Sequence, residues 1–469
     1  MTAAIAPTIA PTMTAGARAR RSSKNLHRVR QLVWAYFWLL IFEGALRKWV
    51  LPFASNPLLI VRDPVVLLAY FYAWRGGLFP RNTFLLFGAA LGLLSLAAGL
   101  IATEGAAFVT VYGFRAHFLQ LPMIFLIAKV FDARDVQRVG YWVLLLSVPM
   151  ALLMALQFLS PPQSVINSGA EENFEQLQSV MGRIRPAGTF SYISGPTLFF
   201  ALVAVFILHS QISKRYPLFL TLAASLGLLV AAVVSGSRGL VGGIGVIFLF
   251  ALLFGVFFKP RLAARWIGGF LVLLLLFYVI RNVPIIQLSL SAFTERLNSA
   301  SGVEGGAEGF LSRVWDTLVG NAYPTLFHSP HIGHGLGVGT NVGAILLSGK
   351  AQFLLAESEW QRIIMESGPF LGGSFLLYRV VLSLWLGRLA ILHAIRQDPL
   401  PLLLFSSCGL NLTHANLGQP TALGFVILSS GLCLAATRTV PQKRPSARPA
   451  PRLQSYRSPA AVNAPVPAS

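Results

Sequence analysis

GLVGGIGVIFLFALLFGVFF, residues 239–258, is a run of 20 residues without a charged side chain. An α-helix rises 1.5 Å per residue, so a run of this length covers about 30 Å, the thickness of the hydrocarbon core of a bilayer. Backbone amides in lipid must hydrogen-bond within their own segment, and the run lacks the alternating polarity of a barrel strand. It therefore predicts a membrane-spanning α-helix.

Similar runs recur along the chain of 469 residues, which is 55% hydrophobic and only 11% charged. Together they predict an all-α, polytopic membrane protein with about 12 transmembrane helices. The predicted spans are residues 29–46, 58–74, 83–102, 107–130, 136–159, 192–210, 216–234, 239–258, 266–280, 363–392, 400–412 and 420–436.

The segments between these spans give the domain organisation. Loops as long as 160–190 and 282–361 exceed the usual length of a connector and are typical of functional loops. The predicted order is a basic tail at 1–28, nine helices within 29–281 with an outer loop at 160–190, a large outer loop at 282–361 before the tenth helix, three helices within 362–437 and a disordered tail at 438–469.

The formal net charge is +21, from 37 Lys and Arg against 16 Asp and Glu. In multispan proteins Lys and Arg accumulate in cytoplasmic loops, and alternating the predicted spans from a cytoplasmic N-terminal tail places most of them on that side. We therefore expect both termini in the cytoplasm and no nucleic-acid partner. Cys408 and Cys433 both lie within apolar runs and offer no disulfide framework.

Arg238 lies in SGSRG, residues 235–239, directly before the run quoted first. On this topology it occupies the outer end of a helix, where the positive end of the helix dipole and the guanidinium fork both attract anions. A guanidinium binds phosphate oxygens in a bidentate way, and the flanking glycines permit close backbone approach. The alternative is an arginine that extends to lipid headgroups.

Arg115 and His117 fall inside the fourth predicted span, in YGFRAHFLQLP, residues 112–122. Ionisable side chains are costly inside a membrane and indicate a functional site there. The sequence predicts a polar cavity around Arg115, and a structural ion pair with a residue such as Glu104 is the alternative. Arg379 in the tenth span is interpreted in the same two ways, with the structural role favoured.

The segment HSPHIGHGLGVGTN, residues 328–341, carries three histidines at intervals of three residues, followed by alternating glycines. The spacing is not a usual zinc pattern and no acidic or cysteine ligand adjoins it, so no metal site is predicted. The glycines lack the Lys-Ser/Thr of a nucleotide phosphate loop. We interpret the segment as a reaction-site loop that contains His334, and we predict no cofactor.

Acidic and basic residues meet again in ESEWQRIIMESGPFLGG, residues 357–373. Glu359 and Arg362 share a helix face at i and i+3, and Glu359 and Glu366 share one at i and i+7. A carboxylate at a water-accessible membrane edge can act as general base for a sugar hydroxyl. The alternative is a salt bridge that stabilises the first turn of the helix.

Taken together, SGSRG, the loop with GHGLGVGTN and the segment ESEWQRIIMESGPFLGG resemble the O-antigen ligase and polymerase superfamily of bacterial envelope proteins. YGFRAHFLQLP and RIRPAGTF, residues 183–190, are also similar to segments of that family, so the resemblance covers about residues 34–436. It implies a multi-pass protein of the bacterial inner membrane, with the long loops in the periplasm. It also implies metal-independent, inverting glycosyl transfer from a glycan on undecaprenyl diphosphate.

The resemblance assigns roles to residues of this chain. Family arginines that hold the lipid diphosphate correspond to Arg238, and also to Arg115 and Arg185, and we add Arg362 to this set. The predicted catalytic residues are Glu359, Glu357 and His334. The implied partners are the lipid-linked glycan, membrane lipids and a chain-length regulator or flippase.

Ligases of this family have a histidine just before the helix that ends in E-x-G, where this chain has AESEW, residues 356–360. This difference favours a polymerase that joins O-antigen or exopolysaccharide repeat units. A ligase that transfers glycan to a lipid or protein is one alternative. A polysaccharide transporter or lipid-linked glycan flippase is another, and its usual internal repeat is not visible in this sequence.

Overall fold

The computed structural model describes residues 15–104, 106–169, 184–280, 287, 315–350, 352 and 354–438, and these contain helices and no β-strand. The helices are α1 (Ala15–Ala45), α2 (Ser55–Leu58), α3 (Arg62–Arg75), α4 (Thr83–Ala102), α5 (Ala107–Phe114), α6 (Pro122–Val130), α7 (Ala133–Leu159), α8 (Ser194–Ser213), α9 (Leu218–Ser235), α10 (Arg238–Phe258), α11 (Pro260–Ile280), α12 (Ala322–His328), α13 (Asn341–Ser348), α14 (Glu359–Ile395), α15 (Leu400–His414) and α16 (Pro420–Thr437).

Single π-helical turns interrupt this pattern at Leu46–Val50, Arg115–Leu119 and Asp316–Gly320. The first turn extends α1, and the second joins α5 to α6, so each belongs to a segment that is long and apolar enough to span a membrane. Turns of this kind are frequent at functional sites. The second contains Arg115 and His117, the two ionisable residues that the sequence places inside the fourth span.

Nine helical segments in the described part of the chain are long and apolar enough to cross a membrane, and the bent pair Pro52–Leu58 and Arg62–Arg75 would make ten. The prediction of an all-helical, multi-pass membrane protein is therefore confirmed, whereas the count of 12 is not. The predicted span 400–412 lies on α15, which has 15 residues and is shorter than the roughly 20 that a bilayer requires. The predicted span 266–280 lies on α11, which is not among the nine.

Helix starts follow from local hydrogen bonding. Asp132 accepts hydrogen bonds from the backbone of Arg134 and Asp135, and the Asp135 side chain accepts one from the Asp132 backbone, which forms a capping box at the start of α7. Ser237 caps α10 by accepting a hydrogen bond from the Leu240 backbone. Arg238 is therefore the first residue of α10, as SGSRG predicts.

Contacts between distant segments define two ends of the helix bundle. At the first, which we call the motif end, Lys48 donates hydrogen bonds to the carbonyls of Gly188 and Phe190, and Ser194 donates one to Gln419. At the opposite end, Arg30 donates to the carbonyl of Val130. The motif end brings together residues 46–62, 184–193, 236–237, 329–350, 354–358 and 415–420, which include the segments that carry the predicted site.

α14 changes direction sharply at Gly368, which has the non-helical angles φ 78° and ψ 169° and precedes Pro369. A Cβ on Gly372 would lie 2.8 Å from the carbonyl oxygen of Ile363, whereas nine residues of straight helix would separate these positions by about 13 Å. The segment 359–367 therefore folds back on the segment that begins at Pro369. Only a residue tolerant of positive φ can occupy the bend.

Several sequence predictions lie wholly or mostly outside the described residues. These are the disordered tail after Arg438, the acidic part of the 160–190 loop, most of the first half of the 282–361 loop, and the first 14 residues of the basic tail. Residues 15–28 of that tail belong to α1, so the first helix begins earlier than the predicted span.

Candidate functional site

The glycine-rich loop of residues 330–340 rests on the bend of α14. The backbone N–H groups of His334 and Gly335 donate to the carbonyls of Met365 and Glu366, at 2.8 and 3.0 Å. The bend frees these carbonyls from helix hydrogen bonds, and the loop supplies the missing donors. Loop and bend therefore form one hydrogen-bonded unit.

Glycines in the loop are required by its geometry. Gly333, Gly335 and Gly337 have φ values of 76°, 110° and 91°, a region that other residues rarely adopt. A Cβ on Gly333 would collide with the carbonyl oxygen of Glu366, and one on Gly337 would collide with the backbone of α5. The alternating glycines thus allow backbone to pack directly on backbone.

Four charged side chains pair in the interior below this loop. Arg362 donates to Glu359 at 2.5 Å and to Glu366 at 2.9 Å, which confirms the expected shared face of α14. Arg379 donates to the other oxygen of Glu359 at 2.9 Å and to the carbonyls of Leu412 and Ala415. Two acids and two bases balance in charge, which buried ions require.

His117 connects this network to the fourth span. Its Nε2 lies 3.1 Å from Oε2 of Glu366, and both side chains are almost fully buried. A neutral imidazole that donates from Nε2 keeps the network electrically balanced, and Nδ1 then has no hydrogen-bond partner among the described residues. The sequence indicated His117 and Glu366 separately, but 249 residues separate them along the chain and their pairing was not predicted.

Arg115 pairs with Asp63 of α3, not with Glu104, the structural partner that the sequence suggested. Asp63 also accepts from Gln120 at 2.7 Å, so both of its oxygens are occupied. Arg115 further donates to the carbonyl of Leu59 at 3.3 Å and lies 3.4 Å from the hydroxyl of Tyr112. A second buried pair, Arg62 with Glu43, lies beside it and was not anticipated.

A cleft opens at the motif end, with an empty volume of about 600 Å³ including its mouth. It lies between the segments around residues 47, 112, 191, 341 and 419, which come from five parts of the chain. Its polar lining consists of Arg47, Tyr112, Ser191, Tyr192, Asn341, Gln419 and Thr421. Guanidinium, hydroxyl and amide groups beside aromatic rings suit a ligand that carries both phosphate and sugar.

Two of the predicted arginines lie directly behind the walls of this cleft. Arg115 contacts Leu59 and Tyr112, which both line it. Arg362 lies behind Gly418, because a Cβ on that glycine would be 3.6 Å from its Nη1. Both guanidiniums are otherwise held by carboxylates, so they bring positive charge close to the cleft without pointing freely into it.

The positive charge of Arg238 acts on Arg185, which in turn acts on Tyr192, a residue of the cleft wall. Burial lowers the pKa of the Arg185 guanidinium, the neighbouring Tyr192 raises it, and the positive charge of Arg238 lowers it further. Tyr192 lines the cleft. The buried Nε of Arg185 has no hydrogen-bond partner among the residues that the structure describes. Two guanidiniums that repel each other are an arrangement that an anion would stabilise.

The three predicted catalytic residues all lie near the motif end, in different environments. Glu359 is buried, and its two oxygens accept from Arg362, Arg379 and the backbone of Leu417. Glu357 and His334 are exposed. His334 is fixed through its backbone, so its ring projects from an anchored loop.

Arg47 lines the cleft and was not predicted from the sequence. It donates to the carbonyl of Ser55 at 2.8 Å and to the hydroxyl of Ser191 at 3.0 Å. A signal was present, since Arg47 and Lys48 follow the first predicted span on the side that the predicted topology places outside, where the positive-inside bias disfavours cations. Both are almost completely buried.

No group of three or more metal-ligating side chains occurs within the described part of the chain. The three histidines of the loop point to different surroundings. His328 bonds through Nδ1 to the carbonyl of Pro324, His331 stacks on Phe370, and His334 is exposed.

A comparison of the chain with models of protein families, and a second with characterised proteins, found no match.

Proposed function

We propose that this protein is an inner-membrane glycosyltransferase that polymerises O-antigen or exopolysaccharide repeat units from undecaprenyl-diphosphate-linked glycans. In this proposal the motif end faces the periplasm and both termini lie in the cytoplasm. The donor and acceptor are lipid-linked, so both approach the cleft from the outer leaflet. A flippase that delivers them and a chain-length regulator are the expected protein partners.

One observation carries this proposal: arginines from distant parts of the chain line a single cleft at the motif end or lie behind its walls. Arg47 lines it directly, Arg115 and Arg362 lie behind its walls, and the charge of Arg185 acts on Tyr192, which lines it. Arg238, the first residue of α10, adds a positive charge that acts on Arg185. Such convergence suits a ligand with several negative charges, as a lipid diphosphate has.

The chemistry follows from where charge develops. The bond between the anomeric carbon and the diphosphate oxygen breaks, and the acceptor hydroxyl oxygen forms the new bond to that carbon. The diphosphate leaves on its lipid with an added negative charge, which preorganised guanidiniums stabilise more strongly in the transition state than in the ground state. The proton of the acceptor hydroxyl passes to a general base.

Three residues were predicted as candidates for that base. Glu357 and His334 are exposed at the motif end and have room to meet an acceptor hydroxyl. Glu359 would first have to release one of its guanidinium partners, because both oxygens accept hydrogen bonds. The geometry therefore favours Glu357 or His334 as the base, with Glu359 holding Arg362 and Arg379 in position.

To test this proposal, a strain that lacks the gene is complemented with the unaltered protein or with Arg238→Ala at equal abundance, and its lipid-linked glycans are measured. We expect the strain without the protein to accumulate single repeats on undecaprenyl diphosphate in the outer leaflet. Long lipid-linked chains that are not transferred would instead identify a ligase. Accumulation on the cytoplasmic leaflet would identify a flippase, and unchanged glycans would refute the glycosyltransferase proposal.

A further inference from the structure

The segment 315–328, which we call the aromatic arm, packs against the spanning part of α14. It consists of a π-helical turn at Asp316–Gly320 followed by α12. A Cβ on Gly373 would lie 3.8 Å from Cδ2 of Leu326. Further along the chain, His331 lies beside Gly368 and Gly333 beside Glu366. The arm therefore runs antiparallel to α14 and leads up to the glycine-rich loop.

The depth of the arm follows from this register. Gly373 is five residues beyond the bend at Gly368, which corresponds to about 7 Å along the helix. The headgroup layer on each side of a bilayer is roughly 5 to 8 Å thick. Taking the bend as the point where α14 enters the membrane places Leu326 and its neighbours at the level of that layer.

The outward face of this region is aromatic. Tyr323 and Phe327, at i and i+4, are 62% and 70% exposed, and their rings pack edge to face with centroids 5.3 Å apart. Phe370, at the start of the spanning part of α14, is 73% exposed and stacks on His331. Exposed apolar residues of the same helix, such as Leu377 and Leu384, continue the surface deeper into the membrane.

We propose that the aromatic arm is a membrane anchor whose exposed face lies in the headgroup layer of the leaflet at the motif end. Tyrosine and tryptophan side chains concentrate at that depth because their rings are apolar with one polar group, and Tyr323 is such a residue. The continuity with the lipid-facing side of α14 selects the bilayer as the partner. The anchor holds the glycine-rich loop at the lipid surface, and this inference does not depend on the proposed glycosyl transfer.

Site-directed spin labelling of the full chain tests the depth of the arm. The native thiols Cys408 and Cys433 are both buried, so a single added cysteine is the reactive position, and labelling of the unaltered protein measures the background. We would label Phe327→Cys, with Leu384→Cys as a reference inside the bilayer and Lys350→Cys as a reference in water. Each variant is reconstituted in phosphatidylethanolamine and phosphatidylglycerol vesicles.

Power saturation with oxygen and with a water-soluble nickel chelate then reports depth. We expect the oxygen-to-nickel accessibility ratio of position 327 to fall between those of positions 384 and 350. A ratio equal to that of position 350 would overturn the proposal. Shielding of position 327 from both reagents would also overturn it, because a protein would then cover the arm. Tyr323→Cys provides the same measurement if Phe327→Cys does not fold.

Discussion

The Oε1 atom of Glu366 accepts a hydrogen bond from the backbone N–H of Gly339 at 3.0 Å. The same atom accepts from Arg362 at 2.9 Å, and Oε2 faces His117 at 3.1 Å. One buried carboxylate thus joins the glycine-rich loop, the start of α14 and the π-helical turn of the fourth predicted span. Any change at Glu366 is therefore transmitted to three elements of the site.

Glu366→Gln should destabilise the protein strongly. The change keeps the shape of the side chain but leaves one positive charge unbalanced among Glu359, Arg362 and Arg379. Breaking a buried ion pair in this way costs about 3–5 kcal/mol. Unfolding in detergent can be followed with a thiol-reactive dye, because Cys408 and Cys433 become reactive only when the fold opens.

The matched control for that variant is Glu357→Gln, since Glu357 is exposed and only nine residues away. Its free energy of unfolding should change by about 0.5 kcal/mol or less. Equal unfolding behaviour of the two variants would show that Glu366 does not connect the loop to the bundle.

Gly333→Ala should cost more stability than Gly349→Ala. Both glycines have positive φ, 76° and 73°, so alanine at either position lowers the free energy of unfolding by about 1–2 kcal/mol through backbone strain alone. At Gly333 the added Cβ also collides with the Glu366 carbonyl, whereas none of the described residues lies within 4 Å of a Cβ on Gly349. Unfolding of both variants, followed with the thiol-reactive dye, distinguishes the effect of the collision from that of backbone strain. Equal losses would contradict the packed arrangement of loop and bend.

Arg47→Lys should lower the rate of chain growth about tenfold to a hundredfold while protein abundance stays normal. Lysine keeps the charge but cannot bond to Ser55, Ser191 and a phosphate in the same fork. Hydrogen bonds of charged groups contribute about 1.5–3 kcal/mol, which corresponds to this range of rates. The rate of chain growth can be measured from the distribution of glycan lengths. The control is Arg81→Lys, because Arg81 is exposed at the opposite end of the bundle. This variant should produce chains of normal length.

Inorganic pyrophosphate should stabilise the purified protein through Arg185 and Arg238. The positive charge of Arg238 lowers the pKa of Arg185, so an anion between them removes a repulsion and raises that pKa again. Guanidinium groups keep their charge in proteins, so the stabilisation should follow the charge of pyrophosphate, increase as the anion loses protons with rising pH, and weaken with added salt.

At a pyrophosphate concentration of 100 times Kd, the stabilisation should reach about 2.7 kcal/mol. Arg185→Gln and Arg238→Gln should each remove most of it, whereas Arg81→Gln should not. Full stabilisation of all three variants would place the anion elsewhere.

The sequence predicted the helices well because apolar length is a local property. Each predicted span overlaps at least one observed helix, although 58–74 and 107–130 are interrupted, and SGSRG marked the start of α10 correctly. The i, i+3 pair of Glu359 and Arg362 was visible for the same reason, since helix periodicity alone brings the two side chains together.

The pairs that assemble the site were not predictable, because each joins residues far apart in the chain. Asp63 with Arg115 and His117 with Glu366 depend on how helices pack, which periodicity does not encode. The bend in α14 had a local signal, the Gly368–Pro369 pair, since the residue before a proline avoids helical angles.

The most direct test of the central claim uses the purified protein in vesicles with undecaprenyl-diphosphate-linked single repeats, extracted from the deletion strain. EDTA is present throughout, since the proposed reaction needs no metal. We predict that glycans of two or more repeats form with the unaltered protein and are strongly reduced with Arg238→Ala. Repeats that stay single in the presence of unaltered, folded protein would contradict the proposal that this membrane protein polymerises glycans.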